Sequence, residues 1–316
     1  MHFNLPILDQ IAVCRNVLIA GMGGGFDVFC GLPIYFELQR HGINVQLANY
    51  SFSYITDFAG GVRLSDTLVG VNANHQDLVL YFPELHLSRW FREQQREEVT
   101  VWCFEKVGVK PLLSDYHILI EYLDIDGIVL IDGGVDSLMC GDEDGTGTLI
   151  EDVVSLAAVH ALNTVPVRLL VCTALGAEQD VTYAQVFENI AALSMDDAYL
   201  GSCSLVRQMD VYQKYEAAVQ YTHDQKLQDP SVINASLVSA VRGHFGNYHL
   251  TEKTHGSRLW ISPLMSLYWF FTVQGVAERN MFLSQIGETT TFHEAMREVL
   301  LMRRRMCIRP HSQIPL

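Results

Sequence analysis

Several features are missing from this sequence, and each absence excludes a class of protein. No apolar run reaches the roughly 20 residues that a membrane span requires, and the longest candidate, residues 260–273, is interrupted by serines and a proline. The amino terminus has no basic stretch followed by an apolar one, so we expect neither a secretion signal nor a membrane partner. The seven cysteines include no C-x-x-C pair, which favours reduced thiols in the cytoplasm over disulfides or a zinc site.

Positive charge is also scarce in this chain. Lys and Arg number 21 against 36 Asp and Glu, which gives a formal net charge of -15. Nonspecific binding to nucleic acid depends on basic side chains that neutralise phosphates, so nucleic acid is not an expected partner. The three consecutive arginines at residues 303–305 are predicted to end a C-terminal helix, where cations interact favourably with the helix dipole.

The composition is that of a globular protein with a sizeable core, because 49% of the residues are hydrophobic and only 18% are charged. No internal repeat or low-complexity linker divides the 316 residues. We therefore expect a single domain over residues 1–316. Its α/β core is predicted to cover residues 10–205, and residues 206–316 to form a helical or irregular C-terminal portion. Self-association into a homo-oligomer is compatible with this composition.

Apolar strands and amphipathic helices alternate along much of the chain. Helical periodicity separates most of the strands, whereas residues 51–110 show no clear pattern. This alternation predicts a Rossmann-like α/β fold, with a mostly parallel sheet and helices on both of its faces. The strands are predicted at residues 17–20, 43–50, 127–131 and 167–172.

Four loops are expected to share one edge of this sheet. In parallel sheets, ligands bind at the carboxyl ends of the strands, where these loops begin. Asn49 ends the second predicted strand and is therefore predicted to help bind the ligand. The four loops begin at Gly21, Asn49, Asp132 and Thr173.

A glycine-rich loop after the first strand is the first candidate site. Its glycines have no Cβ that would keep a ligand away from the main-chain amides, which predicts a cradle for an anion, most often a phosphate. The loop differs from the dinucleotide fingerprint G-x-G-x-x-G because a phenylalanine stands at its sixth position. It differs from a P-loop because no Lys occurs in residues 1–39. The glycines are Gly21, Gly23, Gly24 and Gly25.

Asp27 lies where a phosphate would approach this loop. Its charge would repel the anion unless a divalent cation such as Mg²⁺ lies between them, or unless the carboxylate caps the following helix. The start of that helix stays open, because Pro33 suits the first turn of a helix near Gly31 but would kink one that begins at Asp27. We predict that Asp27 and the loop bind a ligand together. A tight turn without a ligand is the alternative.

A second loop, residues 132–148, holds five carboxylates and five glycines within 17 residues, directly after a buried strand. Asp132 and Asp136 are predicted to transfer protons or, together with Asp27, to bind a divalent cation. Two residues of this loop are also predicted to bring the backbone close to the ligand: Gly133 and Gly134.

The acidic loop also has a purely structural interpretation. Thr148, Glu151 and Asp152 suit the start of a helix near Leu149, so these side chains could cap that helix. An EF-hand calcium loop is disfavoured, because its first position would be Cys140 where an Asp is required. Capping and ligand binding are compatible with each other.

A histidine-rich segment, residues 244–258, is the third candidate site. Its histidines lack the H-x-x-x-H spacing, which disfavours a metal site. His255 is instead predicted to be a general base, and Arg258 is predicted to bind an anion. A polar surface loop is the favoured interpretation of this segment, and the roles of His255 and Arg258 are the functional alternative.

Three segments carry a resemblance to a known family. They are Gly-Met-Gly-Gly-Gly-Phe-Asp-Val at residues 21–28, Asp-Gly-Gly-Val-Asp at residues 132–136 and Pro-Leu-Met-Ser-Leu-Tyr-Trp-Phe at residues 263–270. With these segments the chain resembles the domain-of-unknown-function family number 1152 over most of its length. The resemblance implies a Rossmann-like α/β fold, and it brings no activity from which a catalytic residue could be transferred.

The two loops together predict an enzyme that binds a phosphorylated or nucleotide-like small molecule, with Mg²⁺ as the candidate cation. A non-catalytic sensor of the same ligand is the main alternative. A third hypothesis, an interaction subunit, requires the aromatic residues 268–271 to be exposed. The enzyme hypothesis requires Asp27 and Asp132 to lie within about 6–8 Å of each other at one pocket, with a perturbed carboxylate pKa.

Overall fold

The chain forms a mixed α/β structure around a large, mostly parallel sheet. The computed structural model describes residues 6–75, 80–178, 180–310 and 314. The strands are β1 (Asn16–Gly21), β2 (Asn44–Tyr50), β3 (Val62–Ser65), β4 (Leu68–Val71), β5 (Val101–Phe104), β6 (Gly127–Asp132), β7 (Val167–Cys172), β8 (Tyr199–Ser204), β9 (Gly246–Asn247), β10 (Trp260–Ile261) and β11 (Leu267–Thr272). The helices are α1 (Leu8–Ile11), α2 (Asp27–Cys30), α3 (Leu32–Arg40), α4 (Pro83–Trp90), α5 (Val109–Leu123), α6 (Ile150–His160), α7 (Tyr183–Met195), α8 (Asp210–His223), α9 (Val232–Val241), α10 (Val273–Arg279), α11 (Leu283–Ile286) and α12 (Phe292–Arg303).

The main sheet has nine strands within the described residues, in the order β3-β4-β5-β2-β1-β6-β7-β11-β8. Its five central strands, from β5 to β7 in that order, run parallel to one another. Antiparallel strands complete both edges. Because parallel strands all point the same way, the loops that follow β1, β2, β6 and β7 begin at one edge of the sheet.

Helices cover both faces of the sheet, and β1 shows why. Val17 and Ile19 point into one core, which α3, α4 and α8 close. Leu18 and Ala20 alternate with them and point into the opposite core, which α5, α6 and α7 close. Among the described helices, none is both long and apolar enough to cross a bilayer.

The four strands predicted from the sequence are confirmed as β1, β2, β6 and β7. The segment without a clear pattern, residues 51–110, contains three strands of four residues each, β3, β4 and β5. It also contains α4, which continues into a π-helical turn at Phe91–Gln95. Short strands give too few residues for a periodicity to be recognised, which explains why they were not predicted.

The C-terminal portion is helical as expected, but it also contributes β11 to the main sheet. This strand lies between β7 and β8 and is antiparallel to both. Tyr268, Phe270 and Phe271 of β11 are fully buried. Residues 268–271 therefore do not form the exposed surface that the interaction-subunit hypothesis requires.

Candidate functional site

The glycine-rich loop joins β1 to a short helix that starts at Asp27. This helix, α2, ends at Cys30, and α3 begins directly after Gly31 with Pro33 in its first turn. Two helices separated at Gly31 thus replace the single kinked helix, and the proline occupies a position that tolerates it. The loop is consequently short, and Asp27 lies close to the end of β1.

The backbone of this loop needs glycine at two positions, because Gly24 and Gly25 have φ angles of +93° and +59°. The amides of Gly24, Gly25 and Phe26 have no protein acceptor among the described residues. The Gly23 amide differs from them, because it donates to Asp27 Oδ2 at 2.6 Å. Consecutive amides in such a conformation can surround an anion.

Asn49 supports the glycine loop from the neighbouring strand. Its side chain is fully buried at the end of β2, and Nδ2 donates to the Gly25 carbonyl at 2.9 Å and to Glu84 Oε1 at 2.8 Å. A Cβ at Gly21 would collide with Asn49 Oδ1, so this glycine is required for close approach. Burial raises the pKa of Glu84, which packs behind the loop. Asn49 therefore lies at the predicted edge and holds the loop in place.

Asp132 ends β6 and lies beside Asp27. Its Oδ1 accepts from the Gly134 amide at 2.6 Å, and its Oδ2 accepts from the Ser137 hydroxyl at 2.5 Å and from the Ser137 amide at 3.1 Å. The Gly133 amide hydrogen-bonds to Asp27. Gly133 and Gly134 thus position the two carboxylates with their backbone amides.

Asp152 completes a group of three carboxylates. One oxygen of each of Asp27, Asp132 and Asp152 lies within 4.8 Å of the other two. Asp152 belongs to the first turn of α6, is only 2% exposed, and its Oδ1 has no hydrogen-bond partner among the described residues. Asp27 is partly exposed and opens the group to solvent. Asp27 and Asp132 therefore lie as close together as the sequence predicts. The third member of the group is Asp152, whereas the sequence predicts Asp136.

Asp136 forms a second carboxyl pair with Glu178, at the border of this group. The two side chains hydrogen-bond to each other. Asp136 Oδ2 also accepts from the Thr148 amide at 2.7 Å, and Glu178 Oε2 accepts from the Val135 amide at 3.0 Å. Two carboxyl groups at this separation repel each other when both are ionised, which favours one proton shared between them.

These five side chains, named here the carboxylate cluster, have raised pKa values. Burial is the largest cause of the raised pKa in each case. The negative charges of neighbouring carboxylates raise the pKa further for every member except Asp132. The pKa of Asp136 rises to about 7. Within the described residues, no Lys, Arg or His forms an ion pair with any member of the cluster. The members are Asp27, Asp132, Asp136, Asp152 and Glu178.

The remaining acids of residues 132–148 serve the fold. Glu143 is fully buried and accepts from the amides of Cys140 and Gly141 at 3.0 and 2.8 Å. Arg309 binds Glu143 Oε1 at 3.0 Å and Asp142 Oδ2 at 2.9 Å. The loop is therefore divided into a part that faces the cluster and a part that anchors the C-terminal segment. An EF-hand is not formed.

The side-chain contacts of His255, in the third candidate segment, lie within that segment. His255 is exposed, and its Nδ1 lies 2.8 Å from Glu252 Oε2 while its ring meets that of His249. Arg258 is also exposed. The structure brings neither side chain into hydrogen-bond contact with the cluster.

Sequence reasoning missed two members of the cluster. Asp152 is expected at the start of a helix near Leu149 and does lie in the first turn of α6, but its place in the cluster is not predicted from the sequence. Glu178 follows β7, in the loop expected at the same edge, and is the first carboxylate after that strand. Its position relative to the strand end was the available signal.

The fold and the site define an α/β protein with a buried carboxylate cluster beside a glycine-rich loop at the carboxyl edge of its parallel strands. The chain belongs to the family described as "Protein of unknown function (DUF1152)", whose family model matches residues 18–308. The resemblance found in the sequence is thereby confirmed. No curated protein and no solved structure matches the chain.

Proposed function

We propose that this protein is an enzyme that binds a phosphorylated or nucleotide-like small molecule, together with a divalent cation, at the carboxyl edge of its sheet. One observation carries the proposal: the buried Asp152 Oδ1 has no partner and lies in a group with Asp27 and Asp132. A buried carboxyl oxygen without a partner is costly, and an ionised carboxylate there needs a positive charge beside it, so a cation is expected as part of the ligand.

The spacing of the three carboxylates suits a hard divalent cation. Oxygens on opposite sides of such an ion lie about 4–5 Å apart, because metal–oxygen distances are about 2.0–2.6 Å. The observed oxygens all lie within 4.8 Å of one another, which is compatible with a shared ion. Asp27, Asp132 and Asp152 would hold the cation, and a bound cation would neutralise part of a phosphate's charge.

The glycine loop supports an anionic ligand beside this cation. The amides of Gly24, Gly25 and Phe26 are free to bind phosphate oxygens. Asp27 would otherwise repel that phosphate, and a cation between them removes the conflict. The loop and the cluster thereby become two halves of one site.

The strand order supports a Rossmann-like assignment. The five parallel strands lie in the order β5-β2-β1-β6-β7. If these five alone are numbered along the chain, the order is 3-2-1-4-5, and its direction reverses between β1 and β6. Ligands of such sheets bind in the crevice at this reversal. The glycine loop follows β1, and Asp132 ends β6, so both border the crevice.

Catalysis is favoured over simple binding by the Asp136–Glu178 pair. A carboxyl group whose pKa is about 7 can both accept and donate a proton near neutral pH. A non-catalytic sensor would need the cation and the amides, but not this shared proton. Loss of turnover with retained ligand binding in Asp136→Asn would support the enzyme assignment, and binding without any turnover by the unaltered protein would favour the sensor.

A thermal-shift experiment tests the site. The protein is heated with and without MgCl2, each in the presence or absence of pyrophosphate. We expect Mg²⁺ to raise Tm and pyrophosphate to raise it further, because ligands that bind only the folded state stabilise it. Asp27→Asn should abolish both effects, whereas Glu121→Gln, an exposed acid of α5, should preserve them. Equal Tm values in all four conditions would refute the proposal.

A further inference from the structure

Aromatic side chains surround the glycine loop. Phe52, in the loop after β2, lies so close to Gly24 that a Cβ on this glycine would collide with the ring. A Cβ on Gly25 would lie 3.7 Å from the same ring and 3.0 Å from the Tyr81 hydroxyl. The free amides of the loop therefore lie beside aromatic surface.

Part of this aromatic surface is open to solvent. Phe52 is 43% exposed, and Tyr54, two residues further along the same loop, is 84% exposed. Single exposed rings are ordinary on protein surfaces and require no explanation. Two exposed rings on one loop, one of which lies beside amides that have no acceptor among the described residues, favour contact with a ligand.

Lys106 contacts both the aromatic surface and the first turn of α6. Its Nζ lies 4.6 Å from the centre of the Phe52 ring and 2.6 Å from Glu151 Oε1. Glu151 directly precedes Asp152 of the cluster. Lys106 is thus held between the Phe52 ring and the first turn of the helix that carries Asp152, with its charge paired to Glu151.

We propose that the ligand of this site is a nucleoside phosphate whose base contacts Phe52. This inference rests on the proposed function and specifies its substrate class. The phosphate oxygens would bind to the amides of Gly24 and Gly25 and to the cation. The base would extend along the exposed part of Phe52. Because Phe52 touches the glycine loop directly, a linker the size of a sugar spans the distance between phosphate and base.

Calorimetric titration in the presence of Mg²⁺ tests this inference with two probes, ADP and pyrophosphate. We expect ADP to bind about tenfold more tightly, because contact of a base with an aromatic side chain contributes on this scale. Phe52→Leu keeps an apolar side chain but removes the ring, so it should erase the preference without weakening pyrophosphate. Phe52→Trp should retain the preference. Tyr122→Ala, which removes a ring that is 56% exposed in α5, is the matched control and should change neither affinity.

The outcomes separate this inference from the proposed function. Equal affinities for ADP and pyrophosphate would overturn the base contact and leave the cation–phosphate site standing. Equal weakening of both probes in Phe52→Leu would assign Phe52 to packing of the loop and would also overturn the inference. Failure of both probes to bind in the presence of Mg²⁺ would overturn the proposed function and this inference together.

Discussion

Asp152 combines two properties that are unfavourable for a carboxylate in a folded protein. It is 2% exposed with an unpartnered Oδ1, and it belongs to a group that contains Asp27 and Asp132. Burial and the charges of neighbouring carboxylates raise its pKa well above the ordinary value. A position that costs stability is better explained by a ligand than by the requirements of folding.

Asp152→Asn is predicted to stabilise the metal-free protein. The amide carries no charge and can donate to neighbouring carboxylate oxygens, so we expect a gain of about 1–3 kcal/mol in the free energy of unfolding. The same change should abolish stabilisation by Mg²⁺. Urea unfolding at pH 8, with EDTA and then with Mg²⁺, measures both effects. Asp142→Asn removes an acid that pairs with Arg309, so this control should lose stability and keep the Mg²⁺ response. A metal-free Asp152→Asn protein less stable than the unaltered one would contradict the argument.

Gly23→Ala is predicted to block the cation site by filling it. A Cβ at this position would lie 2.7 Å from Asp27 Oδ2 and 2.9 Å from Asp152 Oδ1, so the two carboxylates must move apart. We expect Mg²⁺ affinity, measured by calorimetry, to fall at least about tenfold, since displaced ligands weaken a metal site. Gly287→Ala is the control, because a Cβ there would meet only a carbonyl oxygen at 3.5 Å. Unchanged affinity in Gly23→Ala would place the cation elsewhere.

The sequence predicted part of the cluster at the level of single residues. The sequence predicted only that Asp27 and Asp132 share the carboxyl edge of the sheet, and the observed pairing of β1 with β6 brings them together. Asp152 has the same sequence signature whether it caps α6 or faces a site, because both roles place an acid in the first helical turn. Glu178 is the first carboxylate after β7, which places it at the expected edge, but its contact with Asp136 depends on how the loop after β7 folds back.

At the scale of elements, the C-terminal helices support the glycine loop. Asn234 of α9 accepts from the Tyr215 hydroxyl at 2.8 Å and donates to the Phe26 carbonyl at 3.4 Å. Tyr268 of β11 donates to the Cys30 carbonyl at 2.8 Å, at the end of α2. The helix that begins at Asp27 is thus held by residues more than 180 positions later in the chain. The C-terminal portion contributes to the geometry of the site without supplying a cluster residue.

Arg309→Gln is predicted to lower stability without affecting the cation site, because the two parts of the acidic loop have different roles. Arg309 pairs with the fully buried Glu143, so its loss leaves a buried charge with less compensation. We expect unfolding to become easier by about 1–3 kcal/mol, since Arg309 itself is partly exposed. Mg²⁺ affinity should stay within about twofold, because neither residue belongs to the cluster. Lost Mg²⁺ binding with unchanged stability would show that the two parts of the loop are not independent.

The strands that sequence reasoning missed have two causes: β3, β4 and β5 are too short to show a periodicity, and β11 owes its place to nonlocal pairing. The strands β1, β2, β6 and β7 are apolar and belong to regular strand–helix units, which local periodicity reveals. By contrast, β11 lies between helical and irregular segments and pairs with β7, which lies far earlier in the sequence. The aromatic residues of β11 were compatible with either an interface or a core, and only the pairing with β7 and β8 decides between these.

At the scale of the whole molecule, the cluster couples stability to pH. The chain carries a formal net charge of -15, and the cluster places five of its acids close together. Glu143 acts in the opposite direction to the cluster: although burial alone would raise its pKa, hydrogen bonds from Asn189 and from backbone amides lower that pKa below its ordinary value. Its contribution to stability is therefore lost as pH falls, whereas that of the cluster is lost as pH rises.

Asp136 allows the contribution of the cluster to be isolated. Its ordinary pKa of 3.8 rises to about 7 in the folded protein, so between these values the folded state holds a proton that the unfolded state has lost. Without metal, this proton stabilises the fold at low pH, and the stabilisation is lost as pH rises from about 4 to 7, by up to about 1.4 kcal/mol per pH unit. In urea unfolding with EDTA, the free energy of unfolding of Asp136→Asn should decline less steeply across this range, and the contribution of Glu143, which both proteins share, cancels in the difference.

Mg²⁺ should make the free energy of unfolding of the unaltered protein depend less on pH, because the cation replaces the protons. Binding of Mg²⁺ at pH 7 should release protons, so that the calorimetric enthalpy depends on the buffer. Parallel pH profiles for the two proteins, with no proton release, would exclude a titrating cluster as the cation site.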